Sequence, residues 1–169
     1  MGRTLSHKPE LYNTAASEFT RPSNTTAYAA GDMVGATAGT IHTIAKAARY
    51  SGGGGRILVP RLHKSTSTTA NGTFRIHFFN DSPTTANDNA AFALLYTERA
   101  MYIGFMDVVS VSDAAGAGAV ATPAATTLPL FFKSAAGSSG NIYAVVTATA
   151  AYAPGSAETF SLTCTVERW

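Results

Sequence analysis

The stretch "AETFSLTCTVER", Ala157–Arg168, decides the fold. Within it Phe160, Leu162, Cys164 and Val166 alternate with Ser161, Thr163, Thr165 and Glu167. Successive side chains of a strand point to opposite faces, so this pattern predicts a strand with one dry face and one wet face. The preceding "NIYAVVTATAAYAP", Asn141–Pro154, reads as a second strand, and the connection at Pro154–Ser156 as a compact turn.

Working back from these two strands, no segment sustains a helical period. Short apolar runs separated by turn residues recur instead, which is the pattern of an all-β sandwich or barrel. A strand is predicted around Tyr28–Val34, interrupted at Gly31–Asp32. Thr40–Tyr50 is read as a strand with Ile41, Thr43, Ala45 and Ala47 on one face, although "IAKAAR" also tolerates a helix. "RILVPRL", "GTFRIHFF", "AMYIGFMDVVSV" and "LPLFFKS" complete a set of about eight strands. "RILVPRLHK" and "GTFRIHFF" are expected to be neighbours joined around Ala70–Gly72, with Leu58, Leu62, Phe74, Ile76 and Phe78 facing inward. Pro60 has no N–H for a ladder, so it demands a sheet edge or a bulge. The run "SGGGGR" lacks the GK[ST] ending of a phosphate loop and is read as an ordinary loop. Ala114–Thr127, rich in small residues, is read as a loop or linker. Two units are expected: an extended N-terminal arm, residues 1–18, and a β-sandwich domain, residues 19–169.

Only 13% of the 169 residues are charged, about half the usual share, and Thr, Ser, Ala and Gly fill the gap. So few charges protect a solitary solute poorly and suit a surface covered by neighbours, so a symmetric homotrimer or homodimer is expected. The net charge of +2 does not point to nucleic acid, and Arg56, Arg61, Lys64 and Arg75 are read as scattered charges rather than a basic face. "MGRTLSHKPELYNTAASEF" contains no apolar h-region, and no run reaches the ~20 apolar residues of a membrane helix. Gly2 and Ser6 fit the short myristoylation pattern, which by itself specifies little.

Candidate chemistry is sparse. Cys164 has no second cysteine to pair with and sits on the apolar face of its strand, as a small buried side chain does. His7, His42, His63 and His77 show no metal-ligand spacing, though His63 and His77 would approach one another across the expected hairpin. The loop "NDSPTTANDN", Asn80–Asn89, concentrates side-chain oxygens and invites a calcium reading. Its spacing is not that of an EF-hand and no glutamate closes it. Asn and Asp also build turns by mimicking the backbone, so a connector is expected, with no metal or cofactor. No paired carboxylates, G-x-S-x-G or nucleotide fingerprint occurs, and the expectation is a protein that is not an enzyme.

Taken in order, "FTRPSNTTAYAAGDMVG", the middle stretch Gly55–Phe92, "MYIGFMDV" and "IYAVVTATAAYAPGSAETFSLTCTVE" resemble a group of small structural proteins of tailed bacteriophages. The resemblance covers about residues 19–168 and rests on the order of the segments rather than on any one motif. It implies a head decoration or cement protein with a jelly-roll-like antiparallel β-sandwich. Such a protein would be made in the host cytoplasm and would bind the major capsid protein on the outer surface of the virion. On this reading the arm is one anchor, with Leu5, Leu11 and Tyr12 as its apolar contacts. The rival reading is a tail- or fibre-associated module for a receptor or glycan, displaying some of Tyr28, Tyr50, Tyr96, Tyr102 and Tyr152.

Overall fold

The computed structural model describes residues 8–65, 72–112, 119–123 and 129–169. Ten strands run in chain order: β1 (Glu10–Asn13), β2 (Ser17–Thr20), β3 (His42–Ile44), β4 (Gly54–Lys64), β5 (Thr73–Phe79), β6 (Tyr102–Ser112), β7 (Ala119–Pro123), β8 (Leu130–Lys133), β9 (Ile142–Ala148) and β10 (Thr159–Arg168). A single 3-10 turn, Tyr96–Glu98, is the only helical element among the described residues.

All of the strand pairs are antiparallel. β1 and β2 share one edge of β10, and β7 and β8 share one edge of β4. Counting each of these couples as one position leaves eight positions, ordered 1-8-3-6 in one sheet and 5-4-7-2 in the other. That is the connectivity of a jelly roll, two interlocked Greek keys. The sheets meet along the β6–β7 pairing, where the hydrogen-bonded order turns the corner from one layer to the next.

Alternation fills the space between the layers. Phe160, Leu162, Cys164 and Val166 of β10 face Phe74, Ile76 and Phe78 of β5, with Met106, Val108, Ala144, Val146 and Ala148 beside them, all in one buried cluster. Aromatic rings tie the core together: Phe19 stacks on its cross-strand neighbour Phe160 at 5.4 Å, and Phe74 of the opposite sheet meets Phe160 and Tyr152 edge-on at 5.8 and 5.2 Å. Offset and edge-on contacts of this kind add roughly 0.5–1.5 kcal/mol each beyond their burial.

β4 and β5 are not the neighbours expected from the sequence. β4 has β10 on one side and β7 and β8 on the other, while β5 lies between β6 and β9. Both strands are interior, in opposite sheets, so no edge is left for them to share. The inward set on β4 also changes phase. Thr165 pairs with Val59 and Val166 with Ile57, so Leu58 is the extra residue of a β-bulge. Ile57 and Leu62 are buried as a result, and Leu58 is not. Pro60 lies two residues beyond the bulge, opposite Cys164. The N–H and C=O of Cys164 both bond Thr14 on its far side, so the Pro60 nitrogen points away from β10, into the gap between the β7 and β8 pairings. The missing donor is not missed there.

Four further readings are corrected. The strand expected over Thr40–Tyr50 is only His42–Ile44, and the buried face carries His42 and Ile44 rather than Ile41 and Thr43. The chain turns away at Lys46, whose φ of 54° is left-handed. The glycine run is partly strand: Gly54 and Gly55 open β4. A Cβ on Gly55 would sit 2.6 Å from the ring of Phe132, so glycine there admits the ring of the paired strand. Within the expected linker, Ala119–Pro123 is β7; Ala114–Gly118 and Ala124–Thr127 lie outside the described residues.

The boundary at residue 18 does not separate an arm from the sandwich. Glu10–Asn13 pair with Thr165–Arg168, and Ser17–Thr20 pair with Leu162–Thr159. Between them the hydroxyl of buried Thr14 accepts the Cys164 N–H at 3.0 Å. Polar composition misled here, because an edge strand needs backbone partners more than apolar side chains.

Candidate functional site

β9 and β5 carry apolar residues on both faces. Val145 and Phe79 point away from the sandwich core, yet both are fully buried. Their cover is the segment around Met33 together with the Asn80–Leu95 loop. Met33, Phe79 and Val145 form a second small core, flanked by Ala86, Phe92 and Tyr102. A mark of this second layer was present in the sequence: "YAVVTA" and the adjacent Phe78–Phe79 break strict alternation, as strands covered on both faces do.

The oxygen-rich loop is held down by Asp88. One carboxylate oxygen accepts the Tyr28 hydroxyl at 2.6 Å and the Gly35 N–H at 3.1 Å, while the other pairs with the Arg21 guanidinium at 3.1 Å. Arg21 also donates from Nε to the Tyr28 hydroxyl. Burial, reinforced by the Asp88 carboxylate, pushes the Tyr28 pKa far above its usual value. Asp81 caps the next residue, its carboxylate accepting the Ser82 N–H at 2.8 Å. Both carboxylates of the loop are therefore committed to protein donors. No three His, Cys, Asp or Glu side chains converge among the described residues.

Where the second layer stops, it leaves a cleft of about 460 Å³ on the outer face of the β6–β5–β9 sheet. His77 of β5 and Thr147 of β9 lie on its floor, Tyr102 on one side and Phe92 on the loop side, with Arg75 at one end. The His77 ring is fixed through both nitrogens, Nδ1 at 3.1 Å from the Tyr102 hydroxyl and Nε2 at 3.3 Å from Thr147 Oγ1. Burial first, and the Arg75 charge second, bring the His77 pKa down to about 4, so the ring is neutral near pH 7. Arg75 is clamped by Asp107 through two bonds, of 2.7 and 3.0 Å, and stacks on Phe105 at 3.7 Å. Sequence reasoning missed this cleft, because on a strand read as half-wet its odd-numbered residues look like solvent-facing polar ones.

The other residues singled out from the sequence are dispersed. His63 and His77 lie in opposite sheets and do not approach one another. Cys164 is fully buried, and burial raises its thiol to about 12. Arg56 pairs with Glu167, Arg61 donates to Thr165, and Lys64 is buried against Glu158, so with Arg75 in the opposite sheet the four make no common basic face. Tyr28 and Tyr152 are core residues, Tyr50 and Tyr96 are exposed, and Tyr102 lines the cleft. Of the arm contacts, Leu11 is 68% exposed on β1, Tyr12 lies half-buried beneath the Arg168 guanidinium, and Leu5 lies outside the described residues.

The chain matches no protein-family model and no curated protein sequence.

Proposed function

We propose that the protein is a structural component of a tailed-phage virion that binds the outer surface of the capsid, as a symmetric homotrimer or homodimer, and stabilises it. The observation that carries this reading is the placement of large apolar side chains. Eight of them stand exposed among the described residues, including Leu11, Leu95, Tyr96, Phe105 and Phe131. They stand on a scaffold whose polar interior is tied by buried ion pairs, in a chain with only 13% charged residues. Isolated exposed apolar residues are normal, but this many on a charge-poor surface suit contact with neighbouring subunits. A rigid double sheet presents such contacts at little ordering cost, and repetition over a symmetric shell multiplies weak ones.

Among the described residues of the N-terminal segment, Leu11 is the large apolar side chain left available for such a contact, since Tyr12 packs against the sandwich. Phe131, 67% exposed beside Trp169, forms a second candidate contact near the β8 edge. The test is co-sedimentation of purified protein with heads that lack it, followed by heating of the reloaded particles. Saturable binding at hundreds of copies and a higher head-melting temperature are expected, with Leu11→Ser and Phe131→Ser weakening retention. Binding to tails or host cells and none to heads overturns the reading.

A further inference from the structure

We propose that the cleft on the outer face of the β6–β5–β9 sheet is a binding site for a neutral saccharide. Its volume of about 460 Å³ falls in the range of small-ligand sites, roughly 300–1,000 Å³. It combines the two surfaces that a sugar ring needs. Tyr102 and Phe92, both half-buried, offer ring surface for the apolar C–H face of a pyranose. The hydroxyls of Tyr102, Thr147 and Thr149 keep lone pairs for the hydroxyls of a sugar, while His77, saturated at both nitrogens, holds the first two in place.

The polar groups are held in place before any ligand arrives. His77 is bonded at both nitrogens, and Thr149 donates to Thr73 Oγ1 at 2.6 Å. Preorganised groups of this kind lose little freedom on binding. The charge balance selects the class of ligand. Arg75 is the only charged residue among the described residues that line the cleft, and both of its bonds run to Asp107, so its charge is already compensated. An anionic ligand would have to compete with that carboxylate, whereas a neutral polyol would not. No Asp or Glu is among the described residues that line the cleft, where hydrolysis of a glycoside would use a carboxylate pair, and the inference is of binding alone. The mouth stays open because its far side is made of Ala30 and Gly31; a Cβ added at Gly31 would meet nothing within 4 Å.

This inference is independent of capsid attachment and is tested on the isolated protein, so either can fail without the other. Saturation-transfer NMR and titration calorimetry would be run with maltose, cellobiose, lactose and chitobiose, with sialyllactose as the anionic arm. At least one neutral disaccharide is expected to bind with a dissociation constant on the order of 1 mM or tighter. Ala30→Trp, at an exposed position on the rim, fills the mouth and should weaken binding at least about tenfold. Tyr102→Leu, which keeps bulk but removes the ring, should weaken it as well and provides a second variant if the first fails to fold. No binding by any of the four at about 10 mM overturns the proposal. So does binding that survives both Ala30→Trp and Tyr102→Leu in folded protein, or preferential, salt-sensitive binding of sialyllactose.

Discussion

Tyr28 and Tyr152 stack with ring centres 6.1 Å apart and planes within 6° of parallel, and each hydroxyl sits between one cation and one carboxylate. For Tyr28 these are Arg21 and Asp88; for Tyr152 they are Lys64, at 3.2 Å, and Glu158, at 2.6 Å. The two units join the start of the sandwich, the oxygen-rich loop and the ends of β4 and β10 through side chains that water hardly reaches.

Breaking one unit should therefore be costly. The Arg21 side chain is completely buried, so Asp88→Ala leaves an uncompensated guanidinium in the interior. A loss of about 3–5 kcal/mol is expected in urea unfolding. The double variant Arg21→Leu/Asp88→Leu should cost less than Asp88→Ala alone, because it removes the stranded charge. Chelator should leave the melting temperature of the parent protein unchanged, since Asp88 is held by protein donors; a drop rescued by calcium would contradict this account of the loop.

His42 makes stability depend on pH. Its ring meets Phe19 edge-on, with Nδ1 3.0 Å from the Ser17 hydroxyl and Nε2 without a hydrogen-bond partner among the described residues. Burial lowers its pKa from 6.5 to about 4. Between these values the unfolded chain takes up a proton that the folded one refuses. Stability is then full above about pH 6.5 and declines as the pH falls towards 4, by up to about 3 kcal/mol for this residue. His77 shifts in the same direction and adds to the slope. Urea midpoints between pH 7.5 and 4.5 should fall for the parent protein and fall visibly less for His42→Leu.

Two glycines with the same backbone hand should respond differently to alanine. Gly39 has a φ of 80°, and a Cβ there would lie 2.1 Å from the Ala86 carbonyl oxygen. Gly137 has a φ of 88°, and its Cβ would meet nothing within 4 Å. Gly137→Ala should cost only the left-handed backbone term, about 1–2 kcal/mol. Gly39→Ala should cost more, because the loop at Thr85–Ala86 has to move as well. Equal melting temperatures for the two variants would show that this loop is free to give way.

The N-terminal strands offer a sharper test than wholesale removal of an arm. Deleting residues 2–18 takes away β1, half of β2, the Thr14 bridge to Cys164 and the Ser17 partner of His42. The melting temperature should fall by on the order of 10 °C. Leu11→Ser, at an exposed position, should change stability by no more than about 0.5 kcal/mol. Loss of head binding in Leu11→Ser would then report a contact, and loss in the deletion alone would report unfolding.

Which residues face inward was legible wherever side chains alternate. Phe160 to Val166 on β10 and Phe74 to Phe78 on β5 lie where their spacing puts them, because burial on one face imposes a period of two. Which strand lies beside which was not legible. Spacing along a strand says nothing about its neighbours, and the β1–β10 ladder joins Glu10 to Arg168 across nearly the whole chain. β7 escaped notice because "AVATP" lacks the bulky apolar residues that mark a strand. The cleft depends on a loop from one part of the chain covering a strand from another. Only the doubled apolar positions at Phe78–Phe79 and Val145–Val146 hinted at it.

The shared edge of β10 also sets a timetable. Thr14 and its partner Cys164 are 150 residues apart in the chain. At a ribosomal pace of about 5–20 residues per second, β1 and β2 wait roughly 8–30 s for the strand that pairs with them. Once made, β4 too waits for β10 on one side, and until then the apolar face that β10 will cover is open. The nascent protein is thus most prone to aggregate in the moments before β10 emerges, and its yield in cells depends on how well that open face is sheltered during synthesis.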